Sequence, residues 1–237
     1  KVVLAINKMD LVDFSQDVFG RIDADYRAFA AQIGLTDITS IPLSGLKGDN
    51  IVEPSPRTGW YHGPTLMAFL ESCEIDETRL QHGPLRLPVQ WVNRPNLDFR
   101  GFCGLIAGGT VRPGDRVRVQ PSGRESRVAR IVAYGGDWPQ AVAGQSVTLT
   151  LEDEIDISRG DIISAADAPA EVADKFECTL VWMADEPMLP GRQYLLKLGT
   201  RTVTATVTEP KYKVNVNTLE HLAAKTLELN EIGVCNI

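Results

Sequence analysis

The sequence predicts a multidomain chain, α/β at first and all-β afterwards, in which one α/β unit is followed by two small β-barrels. The apolar pattern shifts from unbroken runs and helical spacing before residue 75 to strict alternation after residue 85. Turn signals recur between short alternating segments in the later part. The 237 residues, 43% of them hydrophobic, supply enough apolar side chains for two or three small cores.

The first unit is expected over residues 1–75 and begins with a strand and a helix. Residues 1–6, which are apolar after Lys1, form a run without alternation, which suits a strand buried on both faces of a parallel sheet. Ser15 can cap a helix that Gly34 is placed to end. Residues 38–43 return as a strand, and a loop leads to a second helix opened by Pro64. The first helix carries its apolar residues on one face: Val18, Ile22, Tyr26, Phe29 and Ile33.

Alternation begins after a charged linker, Glu74 to Pro84, and marks the barrels. The same period of two recurs at residues 117–119 and 147–151, and no helical spacing occurs from 85 to 165. We therefore expect a small closed barrel over 85–168 and a second, truncated barrel over 172–237. The alternating apolar residues that open the first barrel are Leu85, Leu87, Val89 and Trp91.

Charge and cysteine content argue against several functional classes. The chain has 24 basic and 31 acidic residues, a formal charge of −7, so no nucleic acid partner is predicted. No apolar run approaches the roughly 18 residues that cross a bilayer, so no membrane partner is predicted either. The four cysteines form no Cys-x-x-Cys pair, which disfavours zinc and disulfides and suits a reducing cytoplasm. A solvated outer face is predicted for five arginines: Arg116, Arg118, Arg124, Arg127 and Arg130.

Asn7, Lys8 and Asp10 form the motif that carries chemistry. They follow the first strand directly, and open α/β sheets bind ligands at the carboxyl ends of their strands. A carboxylate there can accept hydrogen bonds from N1–H and the exocyclic N2 amine of guanine, whereas adenine has neither donor in that place. The Lys8 stem can lie across the base, and the Asn7 amide can brace the neighbouring loops as donor and acceptor. The sequence thus predicts a guanine site; the alternative is an ordinary polar turn.

Ser44, Gly45 and Leu46 follow the next predicted strand, so they lie at the same sheet edge as Asp10. Their backbone N–H groups are suited to hydrogen-bond guanine O6. A plain strand-exit turn is the alternative interpretation. Further along, residues 60–62, Trp-Tyr-His, precede the second helix; we expect them to anchor its entry onto the core, with partner contact as the alternative.

The rest of a GTP site is missing from the sequence. The dipeptide Gly-Lys, which ends a phosphate-binding loop, occurs nowhere in the chain. The pattern Asp-x-x-Gly occurs at 17–20 and 98–101, inside the predicted helix and the predicted barrel, where it would not reach the site. The chain also lacks an initiator Met. We expect a fragment that holds the base-reading half of the site, without catalytic residues or metal ligands, and that binds guanosine nucleotides poorly by itself.

These motifs resemble known families. The segments at 7–10, 44–51 and 60–66 are similar to the end of the GTPase domain in the family of elongation factors Tu and one-alpha, in which two β-barrels follow that domain. Four longer segments resemble the GTPase-subunit family of bacterial sulfate adenylyltransferases: 87–102, 151–161, 180–190 and 216–219. The resemblance covers nearly the whole chain, and the last three segments lie outside the nucleotide site. Gly45 departs from the Ala that many relatives carry.

The resemblance implies the C-terminal part of a P-loop GTPase domain before the barrels. It implies GTP as ligand, Mg²⁺ with its ligands in the missing N-terminal part, and a cytoplasmic partner, the small ATP sulfurylase subunit. That subunit makes adenosine 5′-phosphosulfate and pyrophosphate from ATP and sulfate, and an adenylylsulfate kinase can be fused or associated. Two alternatives stay open: a translational GTPase like elongation factor one-alpha, and a docking module without turnover.

Overall fold

The computed structural model describes residues 1–73 and 78–237. Its internal contacts divide the chain into two units, Lys1–Ile75 and Asp76–Ile237. Residues 74–77 belong to the predicted linker and lie outside the described residues. The described part of that linker contains a short helix, which the charged composition alone did not predict.

The first unit contains a parallel strand pair joined through a helix. Val2 lies opposite Ile38 and Ile6 opposite Pro42, so the two strands end at the same level. This register brings the residues that follow each strand to one edge of the sheet. In chain order the elements are β1 (Val2–Ile6), a 3-10 helix (Met9–Val12), α1 (Gln16–Gln32), β2 (Ile38–Pro42), a 3-10 helix (Pro56–Thr58) and α2 (Leu66–Ser72).

The predicted start and end of α1 are confirmed, but the predicted start of α2 needs a correction. The Ser15 hydroxyl accepts the Val18 N–H at 3.4 Å, and Gly34 follows the helix with φ +74°. In α2 the capping residue is Thr65, whose hydroxyl accepts a backbone N–H at 3.3 Å, and Pro64 precedes this cap. Proline carries no side-chain acceptor for the free N–H groups of the first turn, so the threonine takes that role.

The prediction that β1 is buried on both faces is wrong for the described residues. Val2, Val3 and Leu4 are half-buried and Ala5 is exposed. Within the described residues β1 has one strand partner, β2, so one of its edges and part of its surface remain accessible. A strand reaches full burial only when partners and helices cover both of its faces.

The second unit is all-β after a short helix, as the alternation predicts. No helix interrupts residues 85–165, which are all described. Its elements are α3 (Thr78–His82), β3 (Arg86–Pro88), β4 (Trp91–Asn96), β5 (Phe99–Leu105), β6 (Thr110–Val111), β7 (Arg116–Gln120), β8 (Glu125–Ala133), β9 (Gly136–Asp137), β10 (Ala141–Val142), β11 (Ser146–Leu151), β12 (Ile162–Ala165), β13 (Glu177–Val181), β14 (Gln193–Leu198), β15 (Arg201–Thr206), β16 (Tyr212–Val214), β17 (His221–Leu222) and β18 (Ile232–Asn236).

Strands β3 to β12 build the barrel that the sequence predicts. The strand order is β3-β12-β7-β8-β11-β5-β4, with β9 beside β8, and β6 pairs with β10. The two edge strands, β3 and β4, are consecutive in the chain and joined by two residues, so the sheet has to curl back on itself. The interior is filled by apolar side chains without exposed surface, among them Val117, Val119, Ile131, Leu149 and Ile163.

Trp91 is the exception to the predicted alternation at the start of this barrel. Leu85, Leu87 and Val89 are buried as predicted, but Trp91 is 60% exposed. The chain leaves the side of β12 at Val89 and joins β5 through Gln90, whose N–H donates to the Cys103 carbonyl. The change of partner shifts the inside–outside phase by one residue, which turns Trp91 outward.

The remaining strands form a four-stranded sheet, β13-β18-β16-β17, and a separate hairpin of β14 and β15. Met188, Val207, Leu227 and Cys235 make the buried cluster of this region. Cys178, distant from Cys235 in sequence, lies directly opposite it in the sheet. Burial and the neighbouring Cys178 raise the pKa of the Cys235 thiol. The predicted division of the chain at 75, 85, 168 and 172 stays a prediction.

The arginines of the first barrel lie on its outer face, as predicted, and several are paired. Arg116 donates to Glu125 at 2.7 Å and Arg118 donates to the same carboxylate at 3.0 Å. Arg130 holds Asp137 through two hydrogen bonds, at 2.6 and 3.0 Å. These guanidinium groups lower the pKa values of Glu125 and Asp137.

The lowered carboxyl pKa of Glu125 predicts a loss of stability in acid. The ionised form is favoured in the folded state, so its contribution is present at neutral pH and is lost as pH falls through the folded pKa. Between pH 7 and pH 3, Glu125→Gln should therefore show a smaller drop in urea midpoint than the unaltered protein. Because the ion pairs of Glu125 with Arg116 and Arg118 lie at the surface, 0.5 M NaCl should reduce the difference in urea midpoint between the two proteins. Equal drops in both proteins, at low and high salt, would contradict the prediction.

Candidate guanine-nucleotide site

The ends of β1 and β2 bring the predicted site residues together. The Leu43 N–H donates to the Ile6 carbonyl at 2.9 Å, and the Met9 N–H donates to the Leu43 carbonyl at 3.2 Å. The two segments that leave the sheet here, 7–10 and 44–46, therefore run side by side at its carboxyl edge. This is the edge at which parallel α/β sheets bind ligands.

Asp10 and Ser44 are in direct contact at this edge. The Ser44 hydroxyl donates to Asp10 Oδ1 at 2.7 Å, and Ser44 Oγ accepts the Lys47 N–H at 3.2 Å. Ser44 is fully buried and Asp10 is half-buried. No described residue donates a hydrogen bond to the other carboxylate oxygen of Asp10, Oδ2. The carboxylate is thus held through one oxygen and keeps acceptor capacity at the other.

Asn7 joins the two segments, but only as an acceptor. Its Oδ1 accepts the Lys8 N–H at 2.7 Å and the Gly45 N–H at 2.9 Å. Asn7 therefore braces the loops as an acceptor, as predicted, but not as a donor, since its Nδ2 has no hydrogen bond within the described residues. Lys8 has φ +63° and is exposed.

The Ser44–Leu46 loop offers fewer N–H groups than the sequence predicts. The Ser44 N–H donates to the Asp49 carbonyl at 3.2 Å, and the Gly45 N–H is held by Asn7. Of the three N–H groups in this loop, only that of Leu46 has no partner among the described residues, and Leu46 is 88% exposed. The loop thus forms hydrogen bonds within itself and with Asn7 of the neighbouring segment, and local sequence does not reveal these contacts.

A buried asparagine that sequence reasoning did not assign to the site shapes this loop. Asn50 is 2% exposed, and its Nδ2 donates to the Pro42 carbonyl at 2.7 Å and to Thr58 Oγ1 at 2.9 Å. Its Oδ1 accepts the Ser55 N–H at 2.7 Å. The backbone has φ +56°, a conformation that asparagine tolerates better than most residues. The one sequence signal was its place in the Gly-Asp-Asn turn at 48–50.

Two of the three residues predicted to anchor the entry of α2 onto the core do so, Trp60 and Tyr61, whereas His62 is exposed. The Trp60 Nε1–H donates to the Phe14 carbonyl at 3.1 Å, and the Trp60 ring lies 5.2 Å from that of Phe19. The Tyr61 hydroxyl donates to the Pro64 carbonyl at 3.0 Å. The indole therefore ties the entry of α2 to the turn that follows Asp10.

Comparison with known proteins shows which proteins this chain resembles over its length. Over 233 residues, 98% of this chain, the sequence is 54% identical to sulfate adenylyltransferase subunit 1 of Laribacter hongkongensis. It is 52% identical over its whole length to the bifunctional enzyme CysN/CysC of Xylella fastidiosa. This chain is a homologue of sulfate adenylyltransferase subunit 1. Residues 175–237 also match the family described as GTP-eEF1A C-terminal domain-like.

The sulfate adenylyltransferase relatives are longer than this chain. It spans 48% of the Laribacter protein and 38% of the Xylella protein. The structure also superimposes on a crystal structure of Sup35 solved with GDP, with a TM-score of 0.62 and 18% identity over 99% of this chain and 60% of that one. At that identity the likeness shows the fold, which is that of translational GTPases with their β-barrels, as predicted.

The described residues of this subunit 1 homologue contain neither a metal-binding cluster nor a membrane-spanning helix. No group of three or more His, Cys, Asp or Glu side chains among residues 1–73 and 78–237 is arranged to hold a metal ion. Mg²⁺ is therefore not assigned to any of them. Within the same residues, no helix has the length and apolar character that crossing a bilayer requires.

Gly45, where the resemblance led us to expect alanine, can be tested directly. A Cβ added at Gly45 would lie 3.5 Å from the Asn7 side chain, which is ordinary van der Waals contact, and the backbone φ is not in the left-handed region. Gly45→Ala should raise the free energy of unfolding by about 0.4–1 kcal/mol by restricting the unfolded chain. Gly48→Ala is the matched control: its φ of +81° should make it destabilising by about 1 kcal/mol or more. Thermal unfolding of both variants measures the difference, and destabilisation by Gly45→Ala would contradict the prediction.

Proposed function

We propose that this chain is part of the GTP-binding subunit of a sulfate adenylyltransferase and that its first unit reads the guanine base. The proposed guanine-binding residues are Asn7, Lys8, Asp10, Ser44, Gly45 and Leu46. The observation that carries the proposal is the 2.7 Å hydrogen bond from Ser44 to Asp10 at the carboxyl edge of β1 and β2. It holds a half-buried carboxylate in place while leaving Oδ2 able to accept further hydrogen bonds.

The chemistry of this carboxylate favours guanine over adenine. Guanine presents N1–H and N2–H as adjacent donors, and an ionised Asp10 is an acceptor at both oxygens. Adenine has an unprotonated N1 at the same place, so its lone pair would face the negative charge. The Leu46 N–H is available for guanine O6, whereas the Gly45 N–H would first have to leave Asn7. The Lys8 stem can cover one face of the base.

The reaction proposed for the whole protein is the one its relatives' name describes. A separate small subunit would transfer the adenylyl group of ATP to sulfate, which gives adenosine 5′-phosphosulfate and pyrophosphate. The new phosphate–sulfate anhydride is high in free energy, so coupling to GTP hydrolysis would drive its formation. The name of the Xylella relative, bifunctional enzyme CysN/CysC, supports a second, associated activity, proposed here as adenylylsulfate kinase. The assembly is proposed to be cytoplasmic and to bind Mg²⁺ with the nucleotide phosphates.

Nucleotide binding by the full-length protein that carries this sequence tests the proposal. A fluorescent GDP analogue should bind, and GDP and GTP but not ADP should displace it. Co-expression with an ATP sulfurylase subunit should give a complex whose adenosine 5′-phosphosulfate synthesis is accelerated by GTP. Displacement by ADP as well as by GDP would contradict the base assignment. GTP-independent synthesis would contradict the coupling.

A translational GTPase is the second candidate, favoured by the fold shared with Sup35. Binding of aminoacyl-tRNA to the full-length protein would support it. The formal charge of −7 and the 49–54% identity to relatives named for sulfate adenylyltransferase favour the first candidate. If the protein assembles with the small subunit but binds neither GTP nor tRNA, the docking-module alternative holds.

A further inference from the structure

Asp49 is a buried carboxylate whose contacts do not account for its burial. Its side chain is 6% exposed, and its Oδ1 accepts a hydrogen bond from the Ser55 hydroxyl at 2.6 Å. The same oxygen lies 3.4 Å from Arg57 Nε. Its Oδ2 is buried without a hydrogen-bond partner within the described residues. A buried charge with incomplete partners is destabilising, so stability alone does not explain an aspartate here.

Arg57 connects Asp49 to the turn that follows Asp10. Its guanidinium lies 5.0 Å from the centre of the Phe14 ring, within the range of a cation–π contact. Phe14 is buried, and its N–H donates to the Met9 carbonyl at 2.9 Å, which closes the segment carrying Asp10. Asp13 and Phe14 have φ values of +49° and +54°; aspartate tolerates this left-handed region, but a bulky residue such as phenylalanine rarely adopts it. The conformation of this turn therefore depends on the packing of Arg57 against the Phe14 ring.

Two side-chain links thus add to the Asn7–Gly45 hydrogen bond between the two segments of the site. In the first, the Ser44 hydroxyl donates to Asp10. In the second, the Asp49 carboxylate attracts Arg57, and the Arg57 guanidinium lies over the Phe14 ring. The backbone carbonyl of Asp49 also accepts the Ser44 N–H, so Asp49 is hydrogen-bonded directly to the Ser44 loop.

We propose that Asp49 and Arg57 are positioning residues for guanine recognition. Their ion pair sets the spacing between the Ser44–Leu46 loop and the turn that carries Asp10. The inference rests on the proposed function. Two hydrogen bonds to adjacent donors on one base require an acceptor placed to within about 0.5 Å, so a small shift of the turn would weaken the contact with N2–H before it abolishes binding.

The test compares GDP with IDP, which lacks the exocyclic amine, in the full-length protein. The variants are Asp49→Asn, Arg57→Gln, Arg57→Lys and the Asp49→Asn/Arg57→Gln pair. Each Gln or Asn variant should weaken GDP binding by roughly tenfold and IDP binding by about twofold, so the preference for GDP falls about fivefold. The double variant should be no weaker than either single one, because the residues act as a pair. Arg57→Lys should recover part of the preference.

The melting temperature separates positioning from a merely structural role. Asp49→Asn keeps an acceptor for Ser55 and removes a poorly partnered charge, so its melting temperature should change by less than about 3 °C. Arg27→Gln is the matched control in the same unit, since Arg27 pairs with Asp23 at 2.9 Å and donates to the Ile38 carbonyl at 3.2 Å. It should lower the melting temperature and leave the ratio of GDP to IDP affinity unchanged.

Each outcome decides a different claim. If the unaltered protein binds no guanine nucleotide, the proposed function fails and this inference fails with it. If the unaltered protein prefers GDP and the Asp49 and Arg57 variants keep that preference, the inference alone is overturned. The inference is also overturned if the Asp49 and Arg57 variants and the control Arg27→Gln all lose preference for GDP over IDP in proportion to their loss of melting temperature.

Discussion

Replacing Asp10 by asparagine in the full-length protein should weaken GTP binding by roughly 10²-fold or more and shift the preference to xanthosine triphosphate. The amide would turn a donor toward the guanine N2–H group, so two donors would meet in a half-buried site. Xanthine carries a carbonyl oxygen in place of that amine and would accept the amide N–H. Competition of GDP and XDP for a fluorescent analogue measures the change.

Ser44→Ala is the control for this substitution. It removes the 2.7 Å hydrogen bond to Asp10 but keeps the carboxylate, so affinity should fall by about tenfold without a change of preferred base. An Asp10→Asn protein that folds normally and keeps the unaltered preference for GTP would remove Asp10 from its proposed role. Asp49→Asn, by contrast, should reduce the preference for GDP over IDP without favouring XDP.

Asn50→Ala should cost about 3–5 kcal/mol of local stability, the largest effect on folding that we expect near the site. The substitution deletes three hydrogen bonds and leaves the Pro42 carbonyl and the Ser55 N–H without their partner. Alanine also fits poorly at φ +56°. Hydrogen exchange of the amides in residues 44–66 should accelerate, since the Leu66 N–H donates to the Asn50 carbonyl.

Two further variants separate the causes of this loss. Asn50→Gly removes the same hydrogen bonds but relieves the backbone, so it should be less destabilising than Asn50→Ala by about 1 kcal/mol. Asn50→Asp keeps the acceptor for Ser55 and loses both donated bonds. If hydrogen exchange in residues 44–66 is unchanged in Asn50→Ala, the asparagine does not hold the loop in the way the hydrogen bonds indicate.

Local signals predicted those parts of the site that depend on a single segment. The apolar run before Asn7 predicted β1, and the place of Asp10 directly after it predicted the sheet edge at which the carboxylate lies. The Ser15 cap and Gly34 marked the ends of α1 because capping involves residues three or four positions apart. In the barrel, alternation predicted Leu87 and Val89 in the core.

Long-range features were beyond the sequence pattern. Alternation could not show that the chain changes strand partners at Gln90, so it placed Trp91 inside rather than outside. It could not show that Cys178 faces Cys235 either, because register is set by the packing of the whole sheet. The capping role of Thr65 was missed since both Pro64 and Thr65 are favourable near a helix start.

Apart from α3 in the charged linker, the sequence by itself determined the main kinds of elements in this protein, their order and the carboxylate offered to a base, because hydrophobic period and turn chemistry act over a few residues. Only the tertiary structure decided which acceptors and donors are already in use: Asn7 holds the Gly45 N–H, Ser44 holds Asp10, and Arg57 joins Asp49 to Phe14. The physical reason is that the hydrogen bonds of Asn7 with Gly45 and of Ser44 with Asp10 need distances of about 3 Å between residues that are 38 and 34 positions apart, and those distances exist only once β1 and β2 lie in register.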